Sequence, residues 1–333
     1  MKKLKLAIVG ATGLVGQSVM QVLFEENLLN KFDLTLFVSE KNSNKDLRFK
    51  NKVYKLYALN SKQANEKYDY AIFSAGDDVS KVWAYHFLTR GAVVIDNTNA
   101  FRRRNDVPLV VPEINSLLVT DESKLIANPN CSTIELVLAL DKLEKLGEIK
   151  KVVVSTYQSV SGAGSKALDD LNNKTRYVFK KGIENNAIAE IGKILETDYS
   201  TEEDKIMFES KKILNKEFEI FASAVRVPIA YCHLESVYVE FDRTVDISNI
   251  QNLSDKTIAF VSGIVLPTEV SGTNKTFVFR TRKCSDCSIM FFVLADNLRR
   301  GASFNAIQIL KKCIETNKNK KVWFLVLKGC CSA

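Results

Sequence analysis

The sequence predicts an α/β protein, with a doubly wound parallel sheet followed by a second, α+β domain built on a mixed sheet. Three observations carry that prediction. Short apolar runs alternate with helical patterns from Leu4 to Ile95. A glycine turn, Gly10-Ala11-Thr12-Gly13-Leu14-Val15-Gly16, joins the first run to the first helical pattern. Beyond Cys131 the segments become β-rich, as in Lys151-Val152-Val153-Val154-Ser155-Thr156-Tyr157. A chain of 333 residues has room for two domains.

Each element follows from its pattern. Leu4 to Val9 is a short apolar run, as expected of a buried parallel strand. Val19, Val22, Leu23 and Phe24 carry the helix after the glycine turn. Asp33 to Val38 is the next strand, and Lys52 to Leu56 an edge strand. Tyr70 to Ser74 is a strand ended by Ala75-Gly76. Val79 to Arg90 is a helix stopped by Gly91, and Ala92 to Ile95 is again a strand. Asp169 to Asn215 is a polar, lysine- and asparagine-rich region with helical stretches. Phe218 to Ala224, Ser236 to Phe241, Thr276 to Arg280 and Ile289 to Leu294 supply the second sheet. Asp296 to Ile314 reads as a long helix with Ala302, Ala306, Ile309 and Leu310 on one face. Lys41 to Lys45 and Asn317 to Lys321 read as exposed loops. The expected division is a first domain over 1–130, to which a helix over 296–316 returns, a second domain over 131–295, and a tail over 317–333.

Composition excludes several classes. Hydrophobic residues make up 46%, enough for a core, yet no apolar stretch is long enough to cross a bilayer, so no membrane partner is expected. Met1-Lys2-Lys3-Leu4 has the look of a secretory start, but Leu6-Ala7-Ile8-Val9 runs into the glycine turn without a cleavage site, which marks a strand. The net charge is +8, but the lysines are spread among acids and no basic block is interleaved with aromatics. Nucleic acid is therefore not an expected partner, and the surplus charge helps attract an anionic substrate. The seven cysteines include a CxxC at Cys284 and Cys287 and the pair Cys330-Cys331. With only His86 and His233 and no second CxxC, no metal site is expected. A reduced, cytoplasmic protein fits this usage.

Chemistry concentrates in a few motifs. The glycine turn follows a strand and opens a helix, the context of a Rossmann-like dinucleotide site, although its spacing departs from G-x-G-x-x-G. A tight βα turn without a ligand has the same pattern. In Ser39-Glu40-Lys41-Asn42, the acid favours NAD and the cation favours NADP, so the stretch is ambiguous. Asn128-Pro129-Asn130-Cys131-Ser132-Thr133 sets a cysteine in a turn just before an apolar helix, with Ser132 or Thr133 available as cap. A thiol at a helix entrance is biased toward thiolate, the nucleophilic form; a small buried residue fits the same place. Tyr157-Gln158-Ser159-Val160-Ser161-Gly162-Ala163-Gly164 is a strand ending in a small-residue loop, with Gln158 able to orient a carbonyl. Arg226 offers a planar fork for a carboxylate, His233 is a natural acid/base, and Arg102 ends a strand-to-loop passage where a phosphate can be held.

Together these pieces resemble the aspartate-semialdehyde dehydrogenase family, in the same order and over nearly the whole chain. The carrying residues are the glycine turn, Phe73-Ser74-Ala75-Gly76, Val94-Ile95-Asp96-Asn97, Ala100-Phe101-Arg102 and Val110-Val111-Pro112-Glu113, then the Cys131 segment and the Gln158 loop, and finally Arg226-Val227-Pro228, His233 with Glu235, and Asp296-Asn297-Leu298-Arg299-Arg300-Gly301-Ala302. The resemblance implies reversible, NADP-dependent reductive dephosphorylation of L-aspartyl-4-phosphate to L-aspartate-4-semialdehyde, in lysine, threonine, methionine and diaminopimelate biosynthesis. By likeness, Cys131 forms a thioester as phosphate leaves, His233 shuttles the proton, and Gln158 positions the acyl group. Arg226 holds the substrate carboxylate, Arg102 and Lys205 the phosphate, and Glu202 lies near the amine. The cofactor residues implied are Gly10, Thr12, Gly13, Leu14, Val15, Gly16, Ser39, Lys41, Asn42, Ser161, Gly162 and Gln308. A homodimer or homotetramer is implied as well.

Departures from the family pattern are few. Cys232-His233-Leu234-Glu235 stands for the usual Gly-His-Ser-Glu, which places a larger apolar residue beside the histidine. Glu135 replaces a usual glutamine and adds a negative charge one turn beyond Cys131. Lys41-Asn42 replace Arg-Ser, Ala189-Glu190 replace Pro-Gln, and Phe279 replaces Gly. Two other readings stand beside the main one: a related reductase of an N-acetyl-glutamyl-phosphate type of substrate, and a non-catalytic dinucleotide-binding homologue. The Asn-Pro-Asn frame argues against the first, and the presence of Cys131, Gln158, Arg226 and His233 against the second.

Overall fold

The computed structural model describes the backbone of residues 3–330 and the side chains through residue 317. It comprises two compact units: Met1–Pro129 with Ser303–Ala333, and Asn130–Ala302.

In the first unit the chain runs β1 (Leu4–Val9), α1 (Leu14–Glu25), β2 (Phe32–Val38), β3 (Asp46–Phe49), β4 (Lys52–Ala58), β5 (Tyr70–Phe73), α2 (Asp77–Leu88), β6 (Val93–Asp96), α3 (Pro112–Asn115) and β7 (Leu125–Ala127). The strands form one seven-stranded sheet in the order β3-β4-β2-β1-β5-β6-β7. Every pairing is parallel except β3 with β4. All residues of β5 and β6 are buried, which is why they read as unbroken apolar runs. The chain leaves β1 toward β2 on one side and returns to β5 on the other. The glycine turn after β1 therefore sits at the carboxyl edge, at the switch point where open α/β sheets take ligands.

The second unit runs α4 (Cys131–Leu143), β8 (Ile149–Gln158), α5 (Ser165–Asn173), α6 (Thr201–Leu214), β9 (Glu219–Arg226), β10 (His233–Phe241), β11 (Ile258–Val261), α7 (Pro267–Val270), β12 (Thr276–Ser285) and β13 (Ser288–Ala295). Its sheet has six strands in the order β11-β12-β13-β10-β8-β9, and is mixed. Burial alternates along β9 and β10, and along β8 from Val152 onward, so one face is covered and the other is open. α4 packs on β10 and β13, and α6 packs on β9 and on α4. A π-helical turn, Arg299–Ser303, then leads into α8 (Phe304–Cys330). Ile307, Ile309 and Leu310 of α8 join Ile8, Val19, Leu23, Leu36, Ile72 and Ile95 in the core of the first unit.

Several expectations need correction. Lys52 to Leu56 is not the edge: β3, a short exposed strand, pairs outside it. The helix expected from Asp296 begins eight residues later, because Asp296 accepts the N–H groups of Leu298 and Arg299 and makes a turn first. Asn317 to Lys321 lies in helix rather than in a loop. Over the expected tail, the side chains beyond residue 317 and residues 331–333 lie outside the described residues, and with them the Cys330-Cys331 pair.

Candidate active site

α4 begins at Cys131. Its cap is Asn130, not Ser132 or Thr133: Asn130 Oδ1 accepts the Thr133 N–H at 3.2 Å. The cap residue is itself held, since its N–H donates to Glu209 Oε2 (2.7 Å) and its Nδ2 to Glu202 Oε1 (2.9 Å). Ser132 and Thr133 are buried in the first turn. The half-buried thiol thus sits at a helix start, where the helix dipole favours negative charge.

The covered sheet face supplies the next group. Gln158 pairs directly with Arg226, and Leu234 pairs with Tyr157, which sets His233 beside Gln158 on the same rung. All three side chains are buried. Gln158 Nε2 donates to Thr156 Oγ1 (3.2 Å) and Glu202 Oε1 (3.1 Å). Arg226 Nη1 donates to the Ser159 carbonyl (2.6 Å). Burial lowers the guanidinium's pKa, opposed by the charges of Glu202 and Cys131. Glu202 takes Lys205 Nζ at 2.9 Å. Burial alone would push the Glu202 carboxyl up, but Lys205, Asn130 and Gln158 together hold it down to about 2.

The tautomer of His233 follows from its partners. Nδ1 faces the Ser159 backbone N–H at 3.0 Å. A backbone N–H can only donate, so Nδ1 accepts and the ring proton resides on Nε2. Nε2 is buried and has no hydrogen-bond partner among the described residues. Burial, then the Arg226 charge, pushes the imidazole down to about 3, so it is neutral near pH 7. The ring is fixed further by Ser159 Oγ, 3.2 Å from Nδ1, which also contacts Asn297 Oδ1 at 3.2 Å. A Cβ on Gly162 would stand 2.9 Å from Arg226 Nη1 and 3.3 Å from His233 Nε2. Any side chain at 162 would crowd both groups.

Behind this rung lies a cluster of buried charge. Glu135 and Glu235 are both fully buried, and none of their four carboxyl oxygens has a hydrogen-bond partner among the described residues. Burial raises the Glu135 carboxyl well above the usual range, with Glu235 and Asp296 adding like charge and Arg300 opposing. Burial does the same to Glu235. Burial thus opposes the negative charge expected of Glu135 near Cys131. The Leu234 expectation changes too: this side chain points to the other sheet face, packing against Cys232, Val270, Phe279 and Leu294 rather than against the imidazole. Cys232 holds φ at +71, a left-handed value that glycine takes freely, fixed by its N–H on Asn297 Oδ1 at 3.0 Å.

The glycine turn belongs to the first unit. Gly10 has φ +89, and a Cβ there would meet the Ser74 carbonyl at 2.7 Å; one on Gly16 would meet the Gly10 carbonyl at 2.3 Å. The Gly10 and Ala11 N–H groups bond the Phe37 carbonyl, which brings the end of β2 against the turn. α1 starts with Gly13, without a side-chain cap and without an acid in its first turn. That open, uncompensated helix start fits the pyrophosphate of a dinucleotide. Ser39 precedes a short turn, Glu40–Asn42, in which Lys41 is exposed and Asn42 half-buried. There the Glu40 carboxylate takes the Asn60 amide.

Of the residues singled out from sequence, Cys131, Gln158, Ser161, Gly162, Glu202, Lys205, Arg226 and His233 lie in the second unit. Gly10 to Gly16, Ser39, Lys41, Asn42, Arg102 and Gln308 lie in the first. Arg102 is buried, with Nη2 donating to the Asn97 carbonyl at 2.7 Å. Ser159, which holds the imidazole, Asn297, which holds Ser159, and Gly301 stood in the motif segments without a role, and Glu209, which holds the cap, was not singled out. A Cβ on Gly301 would stand 2.8 Å from Cys131 Cβ.

A dinucleotide fold in one unit, with a thiol, a neutral imidazole and buried cations in the other, describes an NAD(P)-linked oxidoreductase that acts on carbonyl groups. The profile of the semialdehyde dehydrogenase NAD binding domain matches residues 5–121, and that of the semialdehyde dehydrogenase dimerisation domain matches residues 140–300. The chain is 39% identical to an aspartate-semialdehyde dehydrogenase of Aquifex aeolicus (strain VF5), over 93% of this chain and 98% of that protein. It is 37% identical to the Bacillus subtilis (strain 168) protein of that name, over 94% and 98%. Among solved structures it is similar to Vibrio cholerae aspartate semialdehyde dehydrogenase II complexed with ASA, with TM-score 0.89 and 33% identity over 95% of this chain and 99% of that one. The chain belongs to the aspartate-semialdehyde dehydrogenase family.

Proposed function

We propose that this chain interconverts L-aspartyl-4-phosphate and L-aspartate-4-semialdehyde, with NADP as the cofactor and a Cys131 thioester as the intermediate. The observation that carries the proposal is Cys131 at a helix start in the same unit as a neutral, Nε2-protonated His233. A thiolate at Cys131 attacks the acyl carbon, the C–S bond forms, and the C–O bond to phosphate breaks. Splitting the reaction at a thioester replaces one hard step by two easier ones. A bound nicotinamide supplies the hydride in one direction and removes it in the other. The acyl oxygen gains negative charge at each tetrahedral stage, and His233 Nε2–H is the donor aimed from the protein. Collapse of the thiohemiacetal oxyanion returns the Cys131 thiolate and frees the aldehyde.

Binding roles follow from charge. Arg226 suits the substrate's α-carboxylate and Glu202 its amine. Lys205 and Arg102 suit the phosphate, and Gln158 orients the acyl group. Gly10 to Gly16, Ser39, Lys41, Asn42, Ser161, Gly162 and Gln308 are proposed to hold the dinucleotide, with Lys41 supporting NADP over NAD as a point charge rather than a fork. The first unit, with α8, serves as the dinucleotide domain and the second as the catalytic and dimerisation domain. A homodimer is supported by the open sheet face, where Val153, Tyr157 and Phe221 are exposed and Val153 pairs with Phe221. The cytoplasmic aspartate-family amino-acid pathway is the proposed setting.

Purified protein is expected to reduce NADP while oxidising aspartate semialdehyde, only when phosphate is present. Phosphate-independent turnover, or full activity in Cys131→Ala, sinks the thioester route. The same assay with NAD decides the cofactor.

A further inference from the structure

Two ladders run inward from the site. Along α4, Glu135 follows Cys131 by four residues, one turn and about 6 Å deeper on the same helix face. Along β10, Glu235 follows His233 by two residues, about 7 Å deeper on the same sheet face. Helix and strand pack on each other. The thiol and the imidazole therefore each have a carboxyl behind them, on two elements that pack together. Cys131 and Glu135 also share one neighbour: a Cβ on Gly301 would stand 2.8 Å from Cys131 Cβ and 3.2 Å from Glu135 Oε1.

We propose that Glu135 and Glu235 form a carboxyl pair that shares a proton and positions charge behind the cysteine, setting how readily Cys131 becomes a thiolate. The inference deepens the reading of Cys131 as nucleophile and rests on it. The surroundings supply one cation for three acids. Arg300 and Asp296 come from the segment after β13. Asp296 is already an acceptor for the N–H groups of Leu298, Arg299 and Gly272. From α6 come Glu202, tied to Lys205, and Glu209, tied to the Asn130 N–H. Beside β10 stands Cys232, whose thiol is driven up by burial and by the charges of Asp296 and Glu135. β13 has no titratable side chain, and the charged residues of β12 (Arg280, Arg282 and Lys283) are exposed. With one guanidinium in this cluster of three acids, two further bare carboxylates cannot both be held at full burial. A shared proton also gives a partner to two of the four unpartnered oxygens, one on each carboxyl, since a protonated carboxyl becomes a donor to the other.

The proton's position matters to Cys131. Charge resting on Glu235 lies behind the histidine, whereas charge resting on Glu135 lies behind the thiol. Glu135→Gln fixes the remaining charge on Glu235, and Glu235→Gln fixes it on Glu135. Two measurements on the full-length protein test this. Infrared difference spectra of the wild type in H2O and D2O at neutral pH are expected to contain a protonated-carboxyl C=O stretch that both variants lose. Alkylation of Cys131 by iodoacetamide, followed against pH, is expected to run about fivefold faster at neutral pH in Glu135→Gln than in Glu235→Gln. The wild type lies between them, with a profile stretched over two steps that becomes a single step in Glu135→Gln. Absence of the band from the wild type overturns the proposal without any variant. So does its persistence in both variants, or superposition of the three alkylation profiles. Neither measurement needs turnover, so failure of the dehydrogenase assay is read separately.

Discussion

Two helix entrances in this chain are finished in opposite ways. α1 starts at Gly13, with no side-chain cap and no acid in its first turn. α4 starts at Asn130, whose side chain takes the Thr133 N–H while Glu209 and Glu202 hold the cap in turn. Both ends present the same partial positive charge. Where the chain leaves the start bare, the charge is available to a ligand's phosphates. Where the chain completes it, the charge acts on a residue of the chain, Cys131. A helix start is thus a binding site or a seat for a reactive thiol according to its cap.

The comparison breaks most visibly if the two entrances are not separable. Cys131→Ala is expected to lower turnover by about a thousandfold or more while NADP affinity, read by fluorescence titration, stays at the wild-type value. Loss of both together contradicts the division of labour. His233 gives the next largest effect. Between its folded value of about 3 and its ordinary value of 6.5, the unfolded chain binds a proton that the folded chain refuses. Stability therefore rises with pH across that window, by up to about 1.4 kcal/mol per pH unit from this group. In urea titrations His233→Gln should flatten that rise, and an unchanged slope would mean that the buried imidazole is not neutral.

Gly13→Asp sharpens the contrast from the other side. Gly13 already has φ -73 and ψ 164, which aspartate adopts without strain. A carboxylate there caps α1 and repels phosphate, so NADP affinity should fall about tenfold while Cys131 alkylation keeps its rate. Unchanged affinity would remove α1 from the cofactor site. Asn130→Ala is the smallest of the four: losing the cap is worth about 1 kcal/mol, seen as a lower urea midpoint at constant m. A shift of nearly zero would show that Glu209 alone secures the entrance.

Legibility followed burial. β1, β5 and β6 were readable because strands buried on both faces carry apolar runs. β3 was not, because Asp46–Phe49 is short and has no buried residue, and β7 was missed because it is only three residues long. β11, a four-residue strand, was passed over for the same reason. Cys131, Gln158, Arg226 and His233 could be singled out by residue type. The partners that set the imidazole's tautomer could not: Ser159 is 74 residues from His233 and 138 from Asn297, and nothing local in the sequence joins them. The buried state of Glu135 was equally hidden, since a glutamate in an apolar helix reads as charge until the strand opposite it is known.

The first unit is closed by the last helix. Ile307, Ile309 and Leu310, with Phe304, Ala306 and Cys313, enter a core whose remaining buried members lie before residue 130. The second unit, Asn130–Ala302, is one unbroken stretch. During synthesis the seven-stranded sheet is made first yet waits for α8 to fill its core, while the later-made unit has every strand and helix to hand once residue 302 has left the ribosome. The order of synthesis and the order of completion are reversed, and pulse proteolysis of released chains that end before α8 should find the second unit protected and the first not.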